Sequence, residues 1–352
     1  MSTDRAVSNA QRAPRPETLP GAVSTNRAPL HPLWLLPAVA ATCVLSIVVG
    51  NYPAPVTEAL TAVFSPAPAR STGSCGRCGF PARSRACWPG PRSASPRVMQ
   101  GLTRNPLAGP GILGINAGAS LAVVVALALG VTAVEGYLWF AFAGAGVAAA
   151  FVYTLGSLGQ GGATPVKLAL AGAAFSAMVG SMTTIVTLLD AATLNDYRFW
   201  VIGSLTRADG GDLSAVAPFL LVGFVLALAA SGSLNVVALG DDMARSLGAR
   251  LVAVRVLSAV SVLLLAGAAT VIAGPIAFIG LAVPHIARAI AGPDYRWILP
   301  YCALIGPILL LAADVLGRVA VQPEQLQVGI VTGLAGAPFF LYLVRNRKVA
   351  AL

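Results

Sequence analysis

The chain has little charge for its size. Only 10% of its 352 residues are Asp, Glu, Lys or Arg, against about 25% in an ordinary soluble domain. Histidine occurs twice, at His31 and His285, and cysteine five times, at Cys43, Cys75, Cys78, Cys87 and Cys302. This scarcity, beside 57% hydrophobic residues and a mean hydropathy of +0.79, excludes a soluble enzyme, a disulfide scaffold and a disordered protein. The polar–apolar alternation of a transmembrane β-barrel is missing, because the apolar runs are long and unbroken. No basic patch is interleaved with aromatics, so nucleic acid is not an expected partner. No G-x-x-x-x-G-K-S/T pattern occurs, so ATP hydrolysis by the usual phosphate loop is not expected of this chain. Two isolated histidines make neither a catalytic dyad nor a metal cluster, which argues against an intramembrane enzyme.

What the chain does have is apolar length. A bilayer-spanning helix needs about 20 predominantly apolar residues, and this composition sets a ceiling of about ten spans. Apolar segments lie near 33–50, 112–131, 137–157, 166–189, 214–234, 251–273, 276–291, 297–317 and 327–344, divided by short breaks rich in Gly, Pro, Asn and Asp. The expected class is an all-α polytopic membrane protein with lipid as its surroundings and no inserted soluble domain. Residues 1–32 are polar and Pro-rich, carry Arg5, Arg12, Arg15 and Arg27, and contain no apolar run. They predict a disordered tail without a cleavable signal. Residues 346–352 form a second short tail.

Residues 65–97 do not fit. They contain no Leu, Ile, Val or Met, but six Arg (70, 77, 83, 85, 92 and 97), six Ser, six Pro and three of the cysteines. Loop charges sharpen the anomaly. After residue 100, one set of alternate loops carries Arg104, Lys167, Arg245, Arg250, Arg255, Arg288, Arg296, Arg345, Arg347 and Lys348. The other set carries Arg198, Arg207 and Arg318. The excess marks the cytoplasmic side and places the C-terminus and Arg104 there. The four tail arginines put the N-terminus there too, yet one apolar segment separates them from Arg104. Parity demands a second crossing between 51 and 99, which this composition cannot supply, since each Arg near a bilayer centre costs roughly 2.5–3.5 kcal/mol. Out-of-frame translation of GC-rich DNA yields such a mixture, so we read about 65–97 as a frame-shifted stretch that returns to frame near Val98. A genuine outer loop with an inverted N-terminus is the alternative. Cys75-Gly-Arg-Cys78 has no fourth ligand nearby for zinc and no thioredoxin-like setting. Cys43 and Cys302 read as core residues.

Four segments carry a family likeness. They are Met99-Gln-Gly-Leu-Thr-Arg-Asn-Pro-Leu-Ala-Gly-Pro-Gly-Ile-Leu-Gly-Ile-Asn-Ala-Gly-Ala119, Leu239-Gly-Asp-Asp-Met-Ala-Arg-Ser-Leu-Gly-Ala249, Ala273-Gly-Pro-Ile-Ala-Phe-Ile-Gly-Leu-Ala-Val-Pro-His-Ile-Ala-Arg288 and Gln327-Val-Gly-Ile-Val-Thr-Gly-Leu-Ala-Gly-Ala-Pro-Phe-Phe-Leu341. Together they resemble the permease subunits of FecCD/BtuC-type ABC importers over about 33–64 and 98–345. The resemblance implies a ten-helix permease bundle in a bacterial plasma membrane, with both termini cytoplasmic. It places a second transmembrane helix where 65–97 stand. It further implies a separate ATP-binding subunit that uses the ATP, a substrate-binding protein, a second permease subunit, identical or paralogous, and a cargo of ferric siderophore, haem or cobalamin. No directly bound cofactor or metal is implied.

Residues 239–249 are the most informative. On the positive side, between two spans, they read as a short helix: Asp241 and Asp242 at its start to cap N–H groups and complement the dipole, and Gly248 at its stop. Met243, Ala244 and Leu247 form a small apolar knob suited to a partner's groove; a solvated turn is the plainer reading. The resemblance makes Gly240, Asp241, Asp242, Met243, Ala244, Leu247 and Gly248 the element that couples to the ATPase. On the other face, residues 190–205 bring Tyr197, Phe199 and Trp200 to an interface. There the resemblance makes Arg198, Arg207 and Arg318 candidates for docking the binding protein, against ordinary loop arginines. Ser176, Ser181, Thr183 and Thr184 are candidates for the substrate path, though helix packing explains them equally. Ala-Gly-Pro at 108–110 and again at 273–275 hints at an internal repeat. His285 reads as a packing or capping residue. Asp314, an acid at membrane depth, is a functional candidate by default; Arg318 four residues on suggests an ion pair instead. An ion-coupled secondary transporter is the rival reading, and a non-functional product of a frame-shifted gene is another.

Overall fold

Twelve α-helices arise among the described residues. In the computed structural model the described residues are 31–49, 93–103, 109–158, 164–205, 210–321 and 325–345. The helices are α1 (Leu36–Val48), α2 (Ala94–Thr103), α3 (Ile115–Ala128), α4 (Val134–Ser157), α5 (Pro165–Leu189), α6 (Ala191–Val201), α7 (Gly210–Ala238), α8 (Asp241–Ser246), α9 (Leu251–Ala273), α10 (Ile279–Ala291), α11 (Tyr295–Ala320) and α12 (Val328–Arg345). Single 3-10 turns at Pro32–Leu35 and Pro110–Leu113 lead into α1 and α3. All nine apolar segments are helical, and no strand occurs among the described residues. Five helices (α4, α5, α7, α9 and α11) are long and apolar enough to cross a membrane. The tails at 1–30 and 346–352 and the stretch 65–92 lie outside the described residues. At the tail boundary, helix begins at Pro32, where His31 meets the Trp297 ring edge-on and the Trp34 indole N–H donates to the Tyr301 hydroxyl.

Local chemistry sets the helix ends. Thr164 accepts from the Lys167 N–H with Pro165 in the first turn of α5, the combination favoured at a helix start. Asp294 accepts from the Arg296 N–H to begin α11, and Asn235 of α7 ties into the same cap by donating to Asp294 and accepting from the Tyr295 N–H.

The bundle encloses α9 and α11. In their apolar stretches 67% and 61% of residues are buried, against 33% or less in α4, α5 and α7. α7 packs along α9, α10 and α1 pack on α11, and α3 packs along α4. The α3–α4 contact is backbone to backbone: a Cβ added at Gly144 would stand 2.3 Å from the Gly118 carbonyl oxygen, with Ala122 and Ala148 flanking the pair. Small residues one turn apart let helices in lipid approach this closely.

At α2 the structure differs from the sequence expectation. The helix starts at Ala94, four residues before Val98, so 94–97 continue it instead of staying irregular. They are buried, and Arg97 is only 2% exposed. Its guanidinium stacks 4.1 Å from the Tyr295 ring centre and donates to Gln100, but its Nε and the Ser95 hydroxyl have no partner. Ser93 donates to the Cys302 carbonyl. Ser93, Ser95 and Pro96 border a cavity of about 50 Å³.

Candidate functional site: a docking helix and the opposite face

α8 hangs between α7 and α9 as a single six-residue turn of helix. Its entry is Gly240 at φ +118°, and its exit is Gly248 at φ +79°, two backbone states that side chains disfavour. The exit is a double closure, with the Ala249 N–H donating to the Ala244 carbonyl and the Gly248 N–H to the Arg245 carbonyl, as in a Schellman motif. The expectation that Asp241 and Asp242 cap N–H groups is corrected here, because the N-cap is Gly240 and no side-chain cap bond forms. Both carboxylates still lie in the first turn, where they complement the dipole, but each reaches a cation. Asp242 meets Arg245 at 3.1 Å, and Asp241 meets Arg255 of α9 at 2.7 Å.

The three apolar residues divide. Ala244 is fully buried beneath the helix, whereas Met243 and Leu247 are 54% and 60% exposed. Ala244 and the Asp241–Arg255 pair seat α8 on the bundle, and Met243 and Leu247 project from it. An exposed apolar pair on a rigidly closed turn is suited to a partner's groove.

At the other end of the bundle, Asp190 closes α5 and opens α6. Its carboxylate accepts from the Thr193 hydroxyl and from the N–H groups of Thr193 and Ala192. The Thr193 hydroxyl first, then these N–H groups, hold its carboxyl below the usual carboxylate range. Arg198 is exposed on α6. Arg207 lies outside the described residues. Arg318 is not available to a partner as expected: it is 6% exposed, pairs with Asp314 at 2.6 Å, and donates to the Ser46 and Val49 carbonyls and the Ser46 hydroxyl. The ion-pair reading of Asp314 thus describes the geometry, and the guanidinium clamps α11 to the last carbonyls of α1.

The four hydroxyl residues expected on the path do not share a face. Thr183 is buried, Ser176 is half-buried, and Ser181 and Thr184 are exposed. Thr183, Ser181 and Thr184 donate to the carbonyls of Val179, Ala177 and Gly180, four residues back in α5. Two cavities lie instead beside α6. One, of about 300 Å³, is lined by residues that include Tyr137, Asp196, Trp200 and Asp212. The other, of about 370 Å³, is lined by residues that include Asp314, Gln325 and Gln327. Phe199 and Ser204 border both. Sequence reasoning reached Phe199 and Trp200 as interfacial aromatics and Asp314 as an acid at membrane depth, but not their meeting with Tyr137, Asp196, Ser204 and Asp212, which come from elements far apart in the chain. His285 is half-buried on α10. Cys302 is buried and Cys43 half-buried, while Cys75, Cys78 and Cys87 lie outside the described residues. No group of three or more His, Cys, Asp or Glu among the described residues could hold a metal.

Comparison with known proteins gives this geometry its context. The model of the FecCD transport family matches residues 38–346. The Fe(3+)-citrate import system permease protein YfmD of Bacillus subtilis is 46% identical over 251 residues, 71% of this chain and 74% of that protein. The ferric enterobactin transport system permease protein FepD of Escherichia coli is 45% identical over 251 residues, 71% of this chain and 75% of that one. The cobalamin import system permease protein BtuC of Halobacterium salinarum is 38% identical over 257 residues, 72% and 68% of the two chains. Among solved structures, a transporter described as of the metal-chelate ABC type, in an inward-facing conformation, superposes with a TM-score of 0.76 at 24% identity, over 89% of this chain and 98% of that one.

Proposed function

Because this chain belongs to the FecCD transport family, we propose that it is the permease subunit of an ATP-driven importer for ferric chelates of the siderophore type. The chain carries the passage, and a separate ATP-binding subunit supplies the energy. The observation that carries this reading is α8, a rigid turn with Met243 and Leu247 exposed and Ala244 and Asp241 fixed to the bundle. The loop-charge excess puts α8 and the C-terminus in the cytoplasm. Closure of the nucleotide-binding pair would press on Met243 and Leu247, and the Asp241–Arg255 pair would pass that push into α9. A second permease subunit, identical or paralogous, completes the passage. A substrate-binding protein delivers cargo to the α6 face, where Arg198, with Arg207 beyond the described residues, offers cations to its carboxylates. Arg318 has no part in that contact. Iron-chelate cargo is favoured by the citrate and enterobactin relatives; haem and cobalamin are the alternatives. An ion-coupled mechanism loses its best acid, since Asp314 is held by Arg318.

The decisive experiment is the pair Asp242→Arg with Leu247→Asp, measured by co-purification of the ATP-binding subunit and by uptake of labelled ferric siderophore, haem and cobalamin in a deletion strain. Co-purification and uptake should both be lost, with the amount of chain in the membrane unchanged. Undiminished uptake would refute the coupling role of α8, and the labelled compound taken up by the parent identifies the cargo.

The reading of about 65–97 as out of frame is supported by the packing of its last residues. Arg97 and Ser95 are buried with orphaned polar atoms, and Ser95 borders a void, a combination that native cores avoid. Translation of the other two frames of the gene should reveal an apolar span of about 20 residues joining Val98; its absence would overturn the reading. If it is present, the frame-restored chain should transport and the chain as it stands should not.

A further inference from the structure

Three segments distant in sequence meet backbone to backbone beside the two cavities. They are the α6–α7 turn, the break between α9 and α10, and the start of α12. The Ser204 N–H donates to the Ala273 carbonyl at 3.1 Å, and the Gly329 N–H donates to the Gly203 carbonyl at 3.2 Å. The Trp200 indole N–H reaches the Val271 carbonyl at 3.4 Å. Glycine makes this approach possible. A Cβ at Gly329 would fall 1.7 Å from the Ile202 carbonyl oxygen, and one at Gly274 would fall 2.2 Å from that of Trp200. Gly203 and Gly274 both have positive φ, +81° and +71°. Leu205, Ala273, Ile276 and Val328 bury around the contact as a small core of their own, separate from the main one.

Just beyond the contact stands Phe278, the one non-glycine residue with positive φ among the described residues, at +62°. It forms the N-cap of α10, and a Cβ at Gly336 of α12 would fall 2.3 Å from its own Cβ. Backbone held in so sparsely populated a state persists only where its surroundings fix it. Here α12 fixes it.

α9 connects this contact to α8. Its first residues carry Arg255, paired with Asp241, and its last residue, Ala273, accepts from Ser204. Between them runs the most enclosed of the five long helices. Packed helices slide or turn as rigid bodies between discrete arrangements, so a displacement applied at α8 arrives where Gly274 meets Gly203. The turn that receives it ends in Ser204, which, with Phe199, borders both cavities.

We propose that Gly203, Gly274 and Gly329 form a joint that makes the α6–α7 turn, the α9–α10 break and the start of α12 move as one piece, so that motion of α9 resets the wall between the two cavities. The joint is a property of the fold; its use in transport rests on the permease reading.

Two measurements test it. Amide hydrogen exchange in detergent reads the joint directly. Gly329→Ala should raise exchange at 200–205 and 273–278 as well as at 326–331, whereas Gly333→Ala, one turn along α12 and facing open space, should raise none. Trp200→Phe, which removes a hydrogen bond and adds no atom to the glycine contact, should raise exchange at 200–205 and 273–278 to a smaller degree. It serves as the readout if Gly329→Ala does not fold. Exchange confined to the substituted segment overturns the proposal. Uptake with the full complex, in the chain or its frame-restored form, reads the consequence. Gly274→Ala should lower uptake about tenfold, a usual size for coupling between sites, while ATPase co-purification is kept. Uptake equal to the parent's also overturns the proposal. Shared exchange with no uptake by the parent in either form leaves the joint standing and refutes the permease reading.

Discussion

Replacing Arg318 separates a clamp from a docking residue. Its side chain is 7% exposed and that of Asp314 is 15% exposed, so solvent screens the pair little. Arg318→Ala removes the ion pair at 2.6 Å, the bonds at 2.9 and 2.8 Å to the Ser46 and Val49 carbonyls, and the bond at 2.6 Å to the Ser46 hydroxyl. It leaves Asp314 enclosed without its cation and the C-terminal end of α1 without its cap. Breaking a buried pair in this way costs about 3–5 kcal/mol. The lower end applies here, because hydrogen bonds within membranes are measured at the weak end of their range. About 3 kcal/mol lowers the folded-to-unfolded ratio roughly a hundredfold. Reversible unfolding in mixed micelles, followed by helicity, measures it. The double variant Arg318→Met with Asp314→Leu should recover most of the loss, since an apolar pair of similar volume can replace a buried ion pair. A loss below about 1 kcal/mol, the range of exposed pairs, would refute the clamp. So would normal stability accompanied by weakened association with a substrate-binding protein.

Two further outcomes follow from the packing and the caps. Gly144→Val drives a side chain into the Gly118 carbonyl and should destabilise the α3–α4 contact by at least about 1–3 kcal/mol, as overpacking does, whereas Gly180→Ala, which meets nothing within 4 Å, should be neutral or mildly stabilising in the same unfolding assay. The Asp190 carboxyl is held low in the folded chain, so its contribution to the start of α6 is present above the ordinary carboxylate range and is lost as pH falls through its depressed value. Amide exchange at Ala192 and Thr193, corrected for intrinsic rate, should therefore rise at acid pH in the parent and be pH-insensitive in Asp190→Ala.

The helices were legible because apolar length is a local property. Each of the nine apolar runs is a helix, and the Gly and Pro breaks fall where helices end. α8 was legible for the same reason, its two glycines and the knob between them lying within ten residues. Its carboxylates were misassigned because a cap bond and an ion pair make the same demand on sequence, and Arg255, the partner of Asp241, lies fourteen residues away. Arg318 and Asp314 sit four apart, so their pairing could be read. The burial that removes Arg318 from a docking role comes from α1, whose approach no local pattern announces. The hydroxyls of α5 resembled a polar lining, yet a Ser or Thr in a helix can spend its proton on the carbonyl one turn back, and three of the four do. The cavities beside α6 draw on residues from Val123 to Val328, a set that only the assembled bundle defines. At α2 the disagreement has a different origin, since the buried Arg97 obeys neither the local pattern nor the core it enters.

The contact of Gly118 with Gly144 bears on how the chain is held in lipid. α3 has 14 residues, about 21 Å of helix at 1.5 Å per residue, short of a hydrocarbon core of about 30 Å. α4 has 24 and is long enough to cross. With only five residues between them and their backbones in contact, the two leave no space for a lipid chain. A segment too short to be held by the bilayer alone is held by its neighbour. α3 and α4 would therefore hold their place in lipid as one hairpin rather than as two independent spans, joined where two glycines meet.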